Sequence, residues 1–337
     1  MAKQVRVGII GCGKIARVGH VPKLQEARGG KVVALCDPVK ERAEELRDAL
    51  APDAEVFTDC SEMLKADIDA VSICTPNNLH CPMTLAALKA GKHVLCEKPI
   101  AGTLAEATRM ISAAEKAGKV LHINQSLRYH ALYVTLADLV HKGKIGDPIH
   151  LRCIRAGAAS PDKGWSPGAS WFVSSESQGG LILDIAVHMA DLLKWLAGDV
   201  EEVGAMVDTR TPGIDVPDNV SALMRFKNGA VGVIELSWTF PIGANLLEIY
   251  GARGRIRTGF GDEPIELTQI PANGGKPRVS FPKLKARVKN SYQAFVDAAQ
   301  GKAPSDTPGE LGREALALCD AIAKSAKSGR LAEVKVY

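Results

Sequence analysis

The chain has 337 residues, of which 46% are hydrophobic and 24% are charged, and its formal net charge is +4. That length allows two domains of ordinary size, and the composition is typical of a soluble globular protein. The basic residues are scattered, which argues against a nucleic-acid surface, and no apolar run approaches the roughly 20 residues of a membrane span. The 8 cysteines include no C-x-x-C pair, so we expect buried free thiols in a reducing cytoplasm, not disulfides or metal ligands.

The first 124 residues alternate short apolar segments with helical ones. Val5 to Ile10 is predicted to be a first strand and not a secretory signal, because glycines and a lysine follow at once. Further strands are predicted at 31–36, 55–57, 69–74, 93–96 and 120–124, and helices at 40–50, 79–91 and 103–118. This alternation predicts a Rossmann-type, doubly wound parallel sheet with helices on both faces.

The pattern changes after Asn124. A predicted helix over 126–146 leads into a strand at 149–157, and a long irregular loop over 159–180 precedes an apolar helix over 181–198. Strands are then predicted at 200–210, 219–226, 230–240, 245–251 and 254–259, and helices near 285–300 and at 309–328. We therefore predict an α/β dinucleotide-binding domain over 1–124 and an α+β domain over 125–337 with an open, mostly antiparallel sheet.

A glycine-rich turn, Gly11-Cys12-Gly13-Lys14-Ile15-Ala16, directly follows the first strand. In a G-x-G-x-x-A turn the first glycine permits the tight bend, the second lets the backbone approach a pyrophosphate, and the small last residue lets helix and strand pack closely. The helix start, with Lys14 and Ile15, offers N–H groups to phosphates. The alternative is a tight turn in a sheet that binds no nucleotide.

Asp37 ends the second predicted strand, where a carboxylate can accept hydrogen bonds from the adenosine ribose hydroxyls. This acid favours NAD over NADP, because it would repel a 2′-phosphate. Lys40 and Arg42 follow closely and would soften that preference, which makes Arg42 a candidate cofactor contact. NAD is the predicted cofactor, with NADP as the alternative.

The turn Glu97-Lys98-Pro99 ends the fifth predicted strand, and Thr75-Pro76-Asn77 ends the fourth. Ligands of doubly wound sheets bind at the carboxyl ends of the strands, so both turns are expected to border the cofactor. A lysine in that place can bond a substrate hydroxyl beside the nicotinamide and favour loss of its proton. The alternative is an ordinary surface turn.

The apolar helix over 181–196 carries three polar residues, Asp184, His188 and Asp191, at i, i+4 and i+7. Buried acids and histidines are costly unless they are paired or used. A histidine that titrates near neutral pH suits proton transfer, and a carboxylate one turn away can orient it. The alternative is a core histidine bonded by its helix neighbour. A metal site is not expected, because no third ligand occurs at helical spacing.

These segments together resemble the GFO/IDH/MocA family of oxidoreductases over essentially the whole chain. The resemblance rests on VGIIGCGKIA, Asp37, CTPNNLH (74–80), GKHVLCEKP, NQSLRYH (124–130) and GGLILDIAVHMADLLKWLAG. It implies a Rossmann domain and a second, substrate-binding domain whose open sheet forms a homodimer or homotetramer. One departure is Gln178, which stands where many relatives have a third glycine.

Carried over to the matching positions, the resemblance implies roles for single residues. Lys98 would be the catalytic lysine, His188 the general acid/base, and Asp184 the residue that positions the substrate. Glu97 would contact the nicotinamide ribose, and a cis peptide would precede Pro99. Further cofactor contacts would be Thr75, Pro76, Asn77 and His80, and further substrate contacts Asn124, Arg128 and, in the variable loop with Trp165, Trp171.

The predicted function is an NAD(P)-dependent dehydrogenase or reductase that transfers hydride between nicotinamide and a secondary alcohol or ketone of a sugar, polyol or sugar derivative. One alternative is a glycosidase that uses tightly held NAD for transient oxidation. Another is a non-catalytic dinucleotide or sugar sensor. We expect a cytoplasmic protein with no nucleic-acid, membrane or metal partner. The substrate and the physiological direction are left open.

Overall fold

The computed structural model describes residues 4–259, 261–286 and 289–336. They fall into two compact units: the first runs to Ser126 and includes Lys289–Arg313, and the second covers the described residues of 127–288 and those from Glu314 onward. The division into a dinucleotide-binding domain, 1–124, and a substrate-binding domain, 125–337, stays a prediction. The compact units differ from it in one segment, because residues 289–313 pack in the first unit. Residues 287 and 288 of a predicted helix and the chain ends 1–3 and 337 lie outside the described residues.

The elements have the following bounds. The strands are β1 Val5–Ile10, β2 Gly30–Cys36, β3 Glu55–Phe57, β4 Ala70–Ile73, β5 His93–Cys96, β6 Leu121–Ile123, β7 Pro148–Ala156, β8 Val200–Asp208, β9 Asn219–Phe226, β10 Val231–Ser237, β11 Ala244–Gly251, β12 Gly254–Thr258, β13 Glu266–Gln269, β14 Arg278–Ser280 and β15 Ala332–Glu333. The α-helices are α1 Val21–Glu26, α2 Lys40–Leu50, α3 Cys60–Met63, α4 His80–Lys89, α5 Leu104–Ala117, α6 Ala131–His141, α7 Val187–Ala197, α8 Ser291–Ala299 and α9 Gly309–Ser328.

The first unit contains a six-stranded sheet in the order β3-β2-β1-β4-β5-β6, with every neighbouring pair parallel. β4 and β6 are buried along their whole length, as expected for strands joined by helical crossovers that cover both faces. The strand order reverses between β1 and β4, where sheets of this kind bind ligands at the carboxyl ends of the strands. The predicted doubly wound parallel sheet is confirmed.

The second unit contains a nine-stranded sheet in the order β14-β13-β12-β11-β7-β10-β9-β8-β15. Its pairs are antiparallel except for β7 with β10. Burial alternates along β9, where Val220, Ala222 and Met224 are buried while Ser221 and Leu223 are exposed, so one face of the sheet is open. The predicted open, mostly antiparallel sheet is confirmed. The short strands β13, β14 and β15 were not predicted, because segments of 4, 3 and 2 residues carry too little periodicity.

Two predicted helices are shorter in the structure. The segment predicted as one helix over 126–146 forms a 3-10 turn, Ser126–Tyr129, and then α6, because His130 between them has extended backbone. Of the helix predicted near 285–300, the structure forms α8, Ser291–Ala299, whose N-terminus is capped by the side chain of Asn290.

Two helices begin with a π turn, in which a backbone N–H bonds the carbonyl five residues back instead of four. Ala16–His20 forms this turn before α1, and Ile182–Ala186 forms it before α7. Each turn inserts one residue and thereby rotates the side chains on one side of it relative to a regular helix. Neither turn was predicted; one carries His20 and the other Asp184.

The cysteines are free thiols, and all but the half-buried Cys60 are buried. Among the helices of the described ranges, none is long and apolar enough to cross a membrane.

Candidate active site

The glycine turn after β1 is tied closely to the sheet. Gly11 has φ +91, which favours glycine, and a Cβ there would lie 2.9 Å from the Cys74 carbonyl carbon. The Asp37 carboxylate accepts from the N–H groups of Cys12 and Val39, each at 2.9 Å. The turn and the acid therefore hold each other in place, and the carboxylate keeps lone pairs that can accept from a ribose hydroxyl.

The same edge of the sheet offers open backbone and unbonded polar atoms to a ligand. A Cβ added at the exposed Gly13 would meet no described atom within 4 Å, so the backbone there is open to a phosphate. The Thr75 hydroxyl oxygen and Asn124 Oδ1 are buried and have no hydrogen-bond partner among the described residues. Because buried polar atoms are normally bonded, these two oxygens fit a bound partner at the carboxyl ends of β4 and β6.

The remaining predicted cofactor residues lie on the first unit. Lys14 and Ile15 are the first helical residues after the turn, with Lys14 exposed. Asn77 opens a short 3-10 turn behind Pro76 and is buried. Arg42 is exposed in the first turn of α2, close behind Asp37 in the chain. These positions are compatible with cofactor contacts, and each contact stays a prediction.

Glu97 is the centre of a buried polar network. Its Oε1 lies 2.6 Å from His20 Nε2 and accepts from Asn124 Nδ2 at 2.5 Å. On the other side of the imidazole ring, Nδ1 lies 2.6 Å from the Ser72 hydroxyl. The Tyr292 hydroxyl accepts from Asn124 Nδ2 at 3.2 Å, and the Tyr292 ring packs edge-on against His20 with 5.0 Å between centroids. Five separate segments of the first unit thus meet at one carboxylate.

Lys98 stands directly beside this network. Its backbone N–H donates to Glu97 Oε2 at 3.2 Å, and its side chain is half-buried, whereas Glu97 is 8% exposed. The Lys98–Pro99 peptide bond is cis, as the resemblance implied. His80 ties the turn after β5 to the turn after β4, because its Nδ1 lies 2.7 Å from Pro99 O and its Nε2 lies 3.1 Å from Thr75 O.

The surroundings of Glu97 keep it charged. Burial acts to raise the pKa of Glu97, but the hydrogen bonds from His20 and Asn124, together with the charges of His20 and Lys98, outweigh it and hold that pKa below its ordinary value. Burial lowers the pKa of His80 and raises that of the Cys74 thiol well above its usual range. The Glu97 carboxylate is therefore held as an anion next to the Lys98 backbone.

In the second unit, the π turn and α7 carry Asp184 and His188 one turn apart. The Asp184 N–H donates to Gly180 O at 3.0 Å, so the acid lies one helical turn after the glycine pair Gly179-Gly180. Both polar side chains are half-buried. Because the π turn adds a residue before α7, Asp184 is displaced from the regular stripe that the spacing predicted.

Asp191, the third member of that stripe, forms an ion pair. Arg128 Nε donates to its two carboxylate oxygens at 3.0 and 2.9 Å, and Arg128 Nη2 donates to Oδ1 at 2.8 Å. Asp191 is 2% exposed, and the guanidinium also lies 5.2 Å from the centre of the Trp195 ring. This bidentate pair occupies most of the guanidinium that the resemblance assigned to substrate, so a substrate role for Arg128 stays a prediction.

Comparisons with known proteins connect this geometry to a family. Residues 5–125 match an oxidoreductase family with an NAD-binding Rossmann fold, and residues 133–257 match the GFO/IDH/MocA C-terminal domain. The chain belongs to the GFO/IDH/MocA oxidoreductase family. The predicted family, fold class, oxidoreductase activity and NAD cofactor are confirmed.

Individual members of the family are similar along their full length. The chain is 32% identical to a 1,5-anhydro-D-fructose reductase of Ensifer adhaerens, over 98% of both chains. It is 30% identical to a myo-inositol 2-dehydrogenase of Thermotoga maritima, over 97% of both chains. The WlbA dehydrogenase of Bordetella pertussis, crystallised with NADH and UDP-GlcNAcA, is 26% identical with a TM-score of 0.85, covering 99% of this chain and 100% of that one.

The loop before α7 contains Gln178, the departure that the resemblance pointed out. Gln178 has φ +55, the one positive φ of a non-glycine residue in the described ranges. A Cβ on the following Gly179 would lie 2.4 Å from the Trp171 carbonyl oxygen, so only glycine fits there. Trp171 is half-buried and stacks on Phe172 with 3.7 Å between ring centroids, while Trp165 is 48% exposed. Stacking of Trp171 on a sugar stays a prediction.

His20, Ser72 and Tyr292 are the functional candidates that sequence reasoning missed. His20 follows the glycine turn as a lone histidine in a helix start, and Tyr292 comes from a distant part of the chain. Ser72 carried the one usable signal, because it is a single hydroxyl inside an otherwise apolar buried strand. In the described ranges, no group of three or more His, Cys, Asp or Glu residues is arranged to hold a metal ion.

Proposed function

We propose that this protein is an NAD-dependent dehydrogenase or reductase of a sugar or polyol, acting on a secondary carbon that carries a hydroxyl or keto group. The observation that carries the proposal is Lys98, placed beside the buried carboxylate of Glu97 at the carboxyl end of β5 in an NAD-binding sheet. The substrate class is supported by the names of the similar reductase and dehydrogenase, which act on anhydrofructose and myo-inositol.

The residues of the chain divide the chemistry as follows. Bound NAD supplies the hydride acceptor for oxidation, and the residues that would hold it include Gly11, Gly13, Asp37, Thr75 and Glu97. Lys98 donates a hydrogen bond to the substrate oxygen and favours loss of its proton. His188 takes that proton during oxidation and returns it during reduction, and Asp184 orients the imidazole and the sugar.

NAD is the proposed cofactor over NADP because Asp37 is held by two backbone N–H donors. A carboxylate fixed in this way cannot turn aside to admit a 2′-phosphate. Arg42 is exposed, and the backbone N–H groups that fix Asp37 do not fix its side chain. We therefore expect Arg42 to influence the choice of cofactor less than Asp37 does.

A homo-oligomer through the open face of the second sheet is also proposed. That face exposes Met206 at 82% and Leu223 at 54% on the neighbouring strands β8 and β9, which fits a contact with a second copy. Charged pairs such as Arg225 with Glu202 border these side chains. Light scattering on Leu223→Lys, against Lys227→Ala as the control, should show a smaller assembly for the first variant only. A cytoplasmic location is proposed on the free thiols.

The decisive experiment is a panel of polyols, aldoses, sugar acids and nucleotide sugars, each tested with NAD and with NADP by nicotinamide absorbance. We expect NADH formation with at least one polyol or sugar and a weaker response with NADP. Release of free sugar from glycosides without net NADH would instead indicate the glycosidase. Cofactor binding without any turnover would indicate the sensor.

The catalytic role of Lys98 is tested with Lys98→Met, which keeps the length of the side chain and removes its charge. Turnover should fall by about a thousandfold or more while NADH binding stays within about twofold, because the lysine acts on the substrate oxygen. Near-normal kcat in Lys98→Met would reject the assignment. Lys92→Met is the matched control, since Lys92 bonds the Ile68 carbonyl and not the site.

A further inference from the structure

We propose that His20 is a positioning residue of this enzyme, which holds the Glu97 carboxylate ionised and oriented beside Lys98 and the nicotinamide ribose. His20 is 0% exposed, so it acts through Glu97 and not by touching the substrate. The proposal rests on the proposed function, in which Glu97 contacts the cofactor. It assigns a task to a residue that neither the motif nor the resemblance pointed to.

Each ring nitrogen of His20 lies within hydrogen-bond distance of a partner. Nε2 lies 2.6 Å from Glu97 Oε1, and an ionised carboxylate can only accept, so Nε2 carries a proton. Nδ1 lies 2.6 Å from the Ser72 hydroxyl, which can donate to it or accept from it. The bond to Ser72 in β4 fixes the orientation of the imidazole ring, so its Nε2–H points at the Glu97 carboxylate.

Ser72, His20 and Glu97 have the residue types and order of contacts of a nucleophilic triad. Ser72 is 0% exposed and lies inside β4, however, so no substrate carbonyl can reach its hydroxyl. These bonds therefore position the carboxylate and do not activate the serine. Ser72 holds His20, and His20 holds the Glu97 carboxylate at the edge of the sheet.

The backbone around His20 supports the same conclusion. His20 closes the π turn Ala16–His20, and one inserted residue rotates the following side chains by roughly 100° about a helix axis. π turns inside helices occur frequently at functional sites, because they move one side chain out of the regular pattern. Here the irregular turn is what brings an imidazole to a carboxylate at the end of β5.

The charged and titratable groups that face Glu97 come from several elements. They are His20 before α1, Cys74 after β4, His80 in α4, Cys96 in β5, Lys98 after β5 and Tyr292 in α8. Burial raises the pKa of both thiols and of the tyrosine, so these three are uncharged near neutral pH. Burial lowers the pKa of His80. Without His20, two of the interactions that lower the pKa of Glu97 are lost, so burial would raise that pKa.

The test measures NADH affinity by nicotinamide fluorescence as the pH is lowered from about 8 to about 6. Wild-type affinity should be nearly constant. His20→Phe should lose about tenfold in affinity over that range, which corresponds to about one pKa unit, because its Glu97 takes up a proton. His20→Gln, whose amide can still donate to the carboxylate, should restore most of the affinity, and Ser72→Ala should show a smaller loss of the same sign.

Two further variants separate positioning from packing. Glu97→Gln should bind NADH more weakly at all pH values, and His20→Phe added to Glu97→Gln should cause no further pH-dependent loss. His122→Phe is the matched control, since His122 is another fully buried, hydroxyl-bonded histidine of the same unit. It should leave the pH dependence of NADH binding unchanged.

The proposal is overturned if His20→Phe weakens binding equally at all pH values, or if its effect is the same in the Glu97→Gln background. Either outcome would mean that His20 only fills space. Because the assay needs no turnover, it remains informative when no sugar or polyol is oxidised. A normal Lys98→Met enzyme would remove the proposed function while leaving a positive His20 result in place.

Discussion

The two units build their polar sites in different ways. In the first unit, four residues from β4, the end of β6, α8 and the turn before α1 form a hydrogen-bond network around Glu97. In the second unit, Asp184, His188 and Asp191 follow one another along a single helical segment. Spacing in the sequence identifies polar positions when they share a helix, whereas a site assembled from separated segments can be seen only after the chain is folded.

The comparison also shows what spacing leaves undecided. Asp184, His188 and Asp191 share one stripe in the sequence pattern. In the structure, however, the Asp191 carboxylate forms an ion pair with Arg128. Burial raises the pKa of Asp191, and the guanidinium opposes that rise. The tests that follow ask whether each unit's polar residues do chemistry or hold structure, from the largest expected effect to the smallest.

The largest effect is expected from His188→Gln. If the helix of the second unit supplies the general acid/base, kcat should fall by about 10²–10⁴-fold while NADH affinity is unchanged. His141→Gln is the control, because His141 belongs to the same unit and bonds the Trp195 carbonyl. Equal activity of the two variants would show that the proton is handled elsewhere.

Arg128→Met asks whether the ion pair is structural. The substitution leaves the Asp191 carboxylate buried without its partner, so the free energy of unfolding should fall by about 3 kcal/mol in urea titrations. Arg128→Met with Asp191→Leu should recover much of that loss. A raised KM with unchanged stability would contradict this expectation and restore the substrate role that the resemblance implied.

His122→Gln tests a buried histidine that holds the first unit together. Its ring nitrogens lie 2.9 Å from the Ser305 hydroxyl and 3.0 Å from the Ser291 and Thr307 hydroxyls, and burial lowers its pKa to about 3. Below its ordinary pKa of about 6.5, this histidine binds a proton in the unfolded chain but not in the folded state. The free energy of unfolding therefore decreases as the pH is lowered, by up to about 1.4 kcal/mol per pH unit.

Removal of His122 should therefore flatten the dependence of unfolding free energy on pH between about 6 and about 4. The substitution will lower stability at neutral pH, so the slope and not the absolute value is the readout. His130→Gln, at an exposed histidine, should leave the slope unchanged. An equally steep slope in the His122 variant would assign the acid sensitivity to other groups.

The smallest effect is expected at Gln178. Because its φ is +55, Gln178→Gly should relieve backbone strain and raise the unfolding free energy by up to about 1 kcal/mol. Gln178→Ala keeps the strain and removes the amide, so its stability should stay within about 0.5 kcal/mol of wild type. A glycine variant that is less stable than the alanine variant would mean that the loop does not resist a side chain at this position.

The sequence predicted the parts of the fold that depend on local pattern. Alternation of strand and helix, the glycine turn and Asp37 were sufficient for the parallel sheet and for NAD. The π turn at Ala16–His20 was beyond reach, because one inserted residue leaves no trace in hydrophobic periodicity. The bond from Asn124 to Tyr292 was equally inaccessible, since no local signal relates residues so far apart.

The position of α8 has a consequence for the order of events during synthesis. Translation proceeds at roughly 5–20 residues per second, so the six strands of the first sheet leave the ribosome well before Tyr292 is made. Until then Asn124 lacks its tyrosine, and His122 lacks the hydroxyls of Ser291 and Thr307. The β6 edge also lacks the bond from the Ile123 N–H to the Thr307 carbonyl until that residue is made, so the nascent sheet keeps an unpaired edge there. The network around Glu97 is therefore completed only after most of the second unit has been synthesised.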